Sequence, residues 1–215
     1  MLVIKVDTVN PELGAIKTAA DAIRRGELVI FPTETVYGLA ADALNESAVR
    51  RVFEAKDRFE GHPLPVQVAG VEQLHTVAAS IPESARLLAE RYWPGPLTLV
   101  LPKTDEISDL VSGGRDTVGV RVPDHPVALA LLRELNSPIV ASSANISGKD
   151  AATDATAAAR ELEKWVSVTL DAGESKIGVA STVIDVSVTP HVILRQGAIS
   201  RAEIVEMIGD VEIAD

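Results

Sequence analysis

Short apolar runs alternate with longer amphipathic stretches through most of the chain. Residues 2–6, 28–31, 64–68, 97–101, 117–122 and 138–142 are strand-length and apolar or alternating, which predicts strands. Residues 10–25, 45–56, 71–79, 82–92, 126–135, 153–163 and 200–208 carry apolar positions at helical spacing. Punctuation agrees with these limits. Asn10-Pro11 is a helix start and Gly26 a stop. Asn45 caps the next helix, and Ser200 with Glu203 forms a capping box for the last. Trp93-Pro94-Gly95-Pro96 is too rigid for helix or central strand, residues 102–116 read as a polar loop, and Gly38 marks a tight turn. Residues 166–171, 181–186 and 191–195 add three late strands. Helices and strands alternate early and strands cluster late, with no linker or repeat. The expectation is one α/β domain over residues 1–215, built on a twisted, mixed sheet flanked by helices.

Composition narrows the class. Of 215 residues, 47% are hydrophobic but only 3% aromatic, so the core must be aliphatic. No apolar run approaches the roughly 20 residues of a membrane span. The N-terminus lacks the pattern of a secretory signal, which points to a cytoplasmic protein with no membrane partner. Without cysteine there is no disulfide, thiolate metal site or cysteine nucleophile. A formal net charge of −11 makes broad nucleic-acid binding, and stable DNA binding in particular, unexpected.

Charge placement then matters more than total charge. After the strand at 28–31, Thr33, Glu34, Thr35 and Tyr37 crowd polar groups together. Lys56 lies seven residues after Val49 and continues the apolar stripe of its helix, so it either snorkels outward or faces a buried anion. Arg58 can reach the same ligand only if the helix ends near Lys56. Ser142 to Gly148 supply small hydroxyl and amide groups after another strand. Arg121 and Arg195 stand near strand ends; each either pairs with a carboxylate such as Asp185 or clamps an anion. Taken singly, these features are a polar turn, a solvated helix end and a loop. Taken together, they place cations and hydroxyls at the carboxyl ends of strands, where open α/β sheets bind ligands. GxxxxGK[ST], GxGxxG and GxSxG are absent, and the four histidines lack metal-ligand spacing. Chemistry by positioning and charge stabilisation at a nucleotide phosphate fits this set.

The segments PTETVYGLAADA, FEAKDR, HPLPVQV, WPGPLTLVL, VGVRVPDHP, PIVASSANISG, STVIDV and ILRQGAI occur in one order from Phe31 to Ile199. In them the chain resembles the YrdC family, the threonylcarbamoyl-adenylate synthases. The resemblance implies a YrdC-like domain with a large, concave, positively lined cavity and a motif-bearing core at about 12–200. It implies a nucleotidyltransferase that joins L-threonine, bicarbonate and ATP into threonylcarbamoyl-AMP and pyrophosphate. The product would feed threonylcarbamoyl-adenosine modification of tRNA through a downstream transfer complex. Carried over by motif, Lys56 and Arg58 are the catalytic triphosphate ligands. Thr33, His62, Arg121, Ser143 and Ser181 fall on the L-threonine side. Thr117, Ala141, Asn145 and Arg195 fall, with Lys56 and Arg58, on the ATP side. Mg²⁺ would arrive with ATP, held by phosphate and water and not by protein side chains. Asp57 and Phe59 stand where the family often has the Gly and Pro of KGRP. Longer members add a linker and a C-terminal domain, which are not expected here; closure would then fall to another protein or to the loop from Arg58 to His62. Two rivals stand beside this reading: a non-catalytic RNA- or nucleotide-binding module, and a paralogue making a different carbamoyl-adenylate.

Overall fold

The computed structural model describes residues 1–214. Among them, eleven strands form one sheet. They are β1 (Leu2–Lys5), β2 (Leu28–Phe31), β3 (Gly38–Asp42), β4 (Val66–Gln67), β5 (Leu97–Pro102) and β6 (Thr117–Arg121). The remainder are β7 (Ile139–Ser143), β8 (Val166–Asp171), β9 (Thr182–Asp185), β10 (His191–Arg195) and β11 (Val211–Ile213). Their order across the sheet is β1-β8-β2-β3-β7-β4-β6-β5-β9-β10-β11. Parallel pairs (β1 with β8, β4 with β6, β5 with β9) mix with antiparallel ones (β2 with β3, β3 with β7, β5 with β6), as expected for a mixed sheet. The helices are α1 (Leu13–Arg24), α2 (Glu46–Lys56), α3 (Glu83–Tyr92), α4 (Asp109–Ser112), α5 (Pro126–Leu135), α6 (Ala155–Leu162) and α7 (Arg201–Ile208).

Side-chain alternation along each strand gives the sheet two different faces. On one, Leu39, Val66, Leu99, Val120, Val140, Ile184 and Ile193 pack under apolar residues of α2, α3, α6 and α7. On the other, Val29, Phe31, Ala40, Ala141 and Val168 pack under α1 and α5. That second cover extends only over the β1-to-β7 half. Past β7, the residues on this face include Gln67 (in register with Arg121), Thr98 (in register with Val183) and Arg195 (also in register with Val183). The uncovered half of this face is where the cavities described below lie.

Several expectations shift. The Asn10-Pro11 start gives way to Leu13, because Asp7 Oδ1 takes the Val9 and Asn10 amides in a turn. The strand expected at 64–68 shrinks to Val66–Gln67, and the helix expected at 71–79 is a 3₁₀ helix, Val71–Thr76. The loop at 102–116 contains α4, and β11 has no counterpart in the sequence reading. Gly38 is not a turn residue: it opens β3, paired with Phe31. Its reason is steric. A Cβ there would stand 2.7 Å from the Phe31 ring, and Phe31 is 0% exposed, so the ring has little room to yield. Gly38→Ala is expected to lower unfolding free energy by roughly 1–3 kcal/mol, measured by urea denaturation. Unchanged stability would show that the ring can move aside.

Candidate functional site

Helix α2 ends where Lys56 must be delivered. Asp57 adopts a left-handed conformation (φ 48°), its amide bonds Glu54 O at 3.2 Å, and the Arg58 amide returns to Phe53 O at 3.0 Å. This pattern closes the helix and turns Arg58 back toward the same side. The requirement that the helix stop near Lys56 is met. Lys56 is only 2% exposed. Its ammonium donates to the carbonyl oxygens of Ser143 and, at 2.6 Å, of Asn145. The Ser147 amide in turn bonds Lys56 O at 2.9 Å. Helix end and post-β7 loop are therefore stitched together by backbone groups. Burial, with the neighbouring Arg58 charge, pushes the Lys56 ammonium down to about 8, while Glu161 opposes the change.

Two cavities adjoin on the uncovered face. The first, of about 210 Å³, is lined by residues that include Thr33, Thr35, Lys56, Arg58, Gln67, Thr98, Arg121, Ala141, Ser143, Ser181 and Arg195. The second, of about 460 Å³, is lined by Thr117, Gly119, Val100, Val183 and Arg115 among others, and shares Arg58, Pro65, Thr98 and Arg195 with the first. Mid-strand residues such as Thr98, Gly119 and Ala141 line them, so the site spreads over a sheet face instead of sitting beyond strand ends.

Of Lys56, Arg58, Arg121 and Arg195, only Arg121 has a carboxylate partner among the described residues. It meets Glu34 Oε1 at 2.6 Å, donates to Thr35 Oγ1 at 3.1 Å, and its Nε donates to Gly95 O at 3.1 Å. The rigid Trp93-to-Pro96 segment thus serves as a backbone stop for this guanidinium. The expected Asp185 partner is not used; Asp185 Oδ1 instead accepts from Ser187 N and Oγ. Arg195 donates to Ser181 O and Oγ, at 2.9 and 3.1 Å through one terminal nitrogen. Arg58 reaches Pro63 O at 3.1 Å and leaves its buried Nε without a partner. Burial lowers Arg58 and Arg195 below their usual values, with Arg121 adding repulsion on Arg195. Three cations facing neutral acceptors form a site that an anion would stabilise.

The remaining sequence candidates divide. Thr33 lines the first cavity, but its hydroxyl donates to Val36 O at 2.6 Å and is met by Thr35 Oγ1 at 2.9 Å and by the Thr35 and Val36 amides at 3.3 Å, so its hydrogen bonds are taken up within this turn. Ser143, Ser181 and Ala141 also line the first cavity, and Thr117 lines the second. His62 lines neither; it is exposed and set edge-on against Phe59 at 5.6 Å. Asn145 also lines neither. Its carbonyl holds Lys56, and its amide nitrogen closes the loop on Ile146 O and Lys149 O. Sequence reasoning missed Gln67 and Thr98, and missed Glu34 as the Arg121 partner. For Gln67 a signal existed, since it is the one polar residue in the apolar run 64–68. Tyr37, pushed up to about 12 by burial, donates to Gly173 O at 2.7 Å. Ile177 N and Gly178 N bond Glu34 O and Thr35 O, so the 173–181 segment lies over the Thr33-to-Thr35 turn.

A family model described as "Telomere recombination", for Sua5, YciO and YrdC proteins, matches residues 21–197. The chain belongs to the Sua5/YciO/YrdC family. The match takes in every residue placed on the cavities above. Within the family, a threonylcarbamoyl-AMP synthase of Pyrococcus abyssi is 50% identical over 198 residues, which is 92% of this chain and 58% of the relative. One of Bacillus subtilis is 45% identical over 199 residues, again 92% of this chain and 58% of the relative. The chain therefore spans under two thirds of the length of these relatives. The crystal structure of P. abyssi Sua5 complexed with L-threonine superposes with a TM-score of 0.96 at 48% identity, covering 100% of this chain and 63% of that one. The mixed α/β architecture is accordingly that of the family, and the KxR and SxN motifs meet in space as Lys56, Arg58, Ser143 and Asn145.

Removing Glu34 leaves the Arg121 guanidinium buried and uncompensated. Glu34→Ala is expected to cost roughly 3 kcal/mol of unfolding free energy in urea. A loss below about 0.5 kcal/mol would mean that cavity water already solvates Arg121.

Proposed function

We propose that this chain is an L-threonylcarbamoyladenylate synthase, a nucleotidyltransferase acting on L-threonine, bicarbonate and Mg-ATP. The observation that carries the reading is the cluster of Lys56, Arg58 and Arg195, held by carbonyl and hydroxyl oxygens, at and beside the junction of two unequal cavities. The names of the Pyrococcus and Bacillus relatives support it, as does L-threonine in the Pyrococcus structure. The smaller cavity, with Arg121, Ser143 and Ser181, suits the amino acid; the larger, with Thr117 and Gly119, suits the nucleoside. Arg58 and Arg195 line both and would hold the phosphates between them. Thr33 and His62 remain threonine-side candidates; Ala141, on the smaller cavity, and Asn145, on neither, remain nucleotide-side candidates that would act on the phosphate part of ATP and not on the nucleoside. His62 would have to swing in with its loop.

In the proposed reaction, the threonine amino nitrogen forms an N–C bond to carbon from bicarbonate, and water leaves, giving a carbamate. A carbamate oxygen then forms a bond to the α-phosphorus of ATP. The bond from that phosphorus to the β-phosphate bridge oxygen breaks, and pyrophosphate departs with the electron pair. Lys56 and Arg58 offset the charge that builds on the leaving group. No covalent enzyme intermediate is needed. Mg²⁺ would arrive with the ATP substrate, held by phosphate and water. The product would pass to a tRNA-modifying transfer complex in the cytoplasm. No helix among the described residues is long and apolar enough to cross a membrane.

Lys56→Ala is expected to abolish pyrophosphate release that depends on both threonine and bicarbonate; unchanged release would remove the assignment. Lys56 titration supplies a second check. Burial holds the free ammonium near 8, below its usual 10.5, and a bound triphosphate returns it toward the usual value. ATP binding at pH 8 should therefore take up about half a proton per site. Calorimetry in buffers of different ionisation enthalpy measures this. Wild-type binding without proton uptake, or equal uptake in Lys56→Ala, would contradict it.

A further inference from the structure

Gln67 is the one cavity-lining carboxamide. It ends the two-residue strand β4, is 5% exposed, and lies in register with Arg121. Its Oε1 is buried with no hydrogen-bond partner in the protein. Such an acceptor costs free energy unless something supplies a donor. The same side chain carries two N–H donors on the same plane, so the whole carboxamide calls for a group with a donor and an acceptor side by side.

The proposed substrates differ in what they offer. Phosphates and the threonine carboxylate carry only acceptors, and the ammonium carries only donors. The threonine hydroxyl carries both on a single atom. The carbamate formed from threonine and bicarbonate presents H–N–C–O, one donor and one anionic acceptor flanking the same carbon. That edge is complementary to a primary amide: N–H to Oε1, and Nε2–H to carbamate oxygen. The adenine edge has a comparable pattern, and glutamine can pair with it. Gln67, however, lines only the smaller cavity, with Lys56, Arg121 and Ser143, and not the larger one assigned to the nucleoside.

Resting on the synthase reading above, we propose that Gln67 binds the N-carboxyl group of the carbamate and so sets the enzyme's use of bicarbonate. The amide plane would hold the planar carbamate with one oxygen directed toward the phosphate cations. This arrangement favours N-carboxylated threonine over free threonine without contacting the amino acid's own carboxylate.

The test is steady-state pyrophosphate release by the full chain, with each substrate varied in turn, for wild type, Gln67→Leu and Gln67→Glu. Leucine keeps approximate volume and removes both hydrogen bonds; glutamate keeps the shape and replaces the N–H donors with negative charge. Both variants are expected to raise the apparent KM for bicarbonate about tenfold or more, glutamate at least as much as leucine. The KM for ATP and calorimetric affinity for L-threonine should stay within about threefold of wild type. A bicarbonate KM unchanged in both variants overturns the inference. So does a rise confined to the ATP KM, which would assign Gln67 to adenine, or an equal fall in all three affinities, which would make it structural. If Gln67→Leu fails to fold, Gln67→Glu decides by the same readings. Wild type without threonine- and bicarbonate-dependent turnover removes the synthase reading itself, and with it this inference. Active wild type with indifferent variants removes the inference alone.

Discussion

A lysine ammonium buried among backbone carbonyls, with no carboxylate bonded to it, is the constraint on which the site depends. Lys56 needs helix α2 to end where it does, which Asp57 achieves by going left-handed. It needs the loop after β7 to turn two carbonyl oxygens inward, which the Asn145 side chain stabilises from behind. Neither partner neutralises the charge. The fold thus keeps a cation in a place where burial disfavours it, and an anionic ligand is what offsets that cost. Arg58 and Arg195 repeat the arrangement with neutral acceptors of their own.

The sheet supplies the space. One face packs under α2, α3, α6 and α7, and the other is covered by α1 and α5 only over the β1-to-β7 half. Side chains on the bare half are mixed: Gln67, Thr98, Arg121 and Arg195 stand there beside Val100 and Val183. A chain with net charge −11 thereby concentrates cations on one concave surface. Attraction for phosphate is then local, a property of this surface and not of the molecule as a whole.

Much of this was legible in the sequence because the signals were local. Helix ends, caps and apolar runs follow from neighbours in the chain, and the helix stop at Lys56 was implied by the need to bring Arg58 to the same ligand. The misses share a different cause. Gly38 looked like a turn because its steric contact with Phe31 is set by strand pairing, which the local pattern does not show. Arg121 was left open between a carboxylate such as Asp185 and an anionic ligand; its partner lies 87 residues back, in Glu34. Gln67 and Thr98 became site residues only once register put them on the same face as Arg121. The site was expected beyond strand ends, but α1 and α5 leave part of one sheet face bare, and the cavities lie there instead. Motif order singled out Lys56, Arg58, Ser143 and Asn145, but it left hidden that Asn145 and Ser143 meet Lys56 through their main chains.

The central claim is that this cationic surface joins carbamoylated threonine to the adenylyl group of ATP. Mass spectrometry of the products made from isotopically labelled bicarbonate, with and without L-threonine, tests it most directly. The account predicts a labelled threonylcarbamoyl-AMP that requires threonine. A labelled adenylate formed equally well without threonine, or no labelled adenylate under either condition, would contradict it.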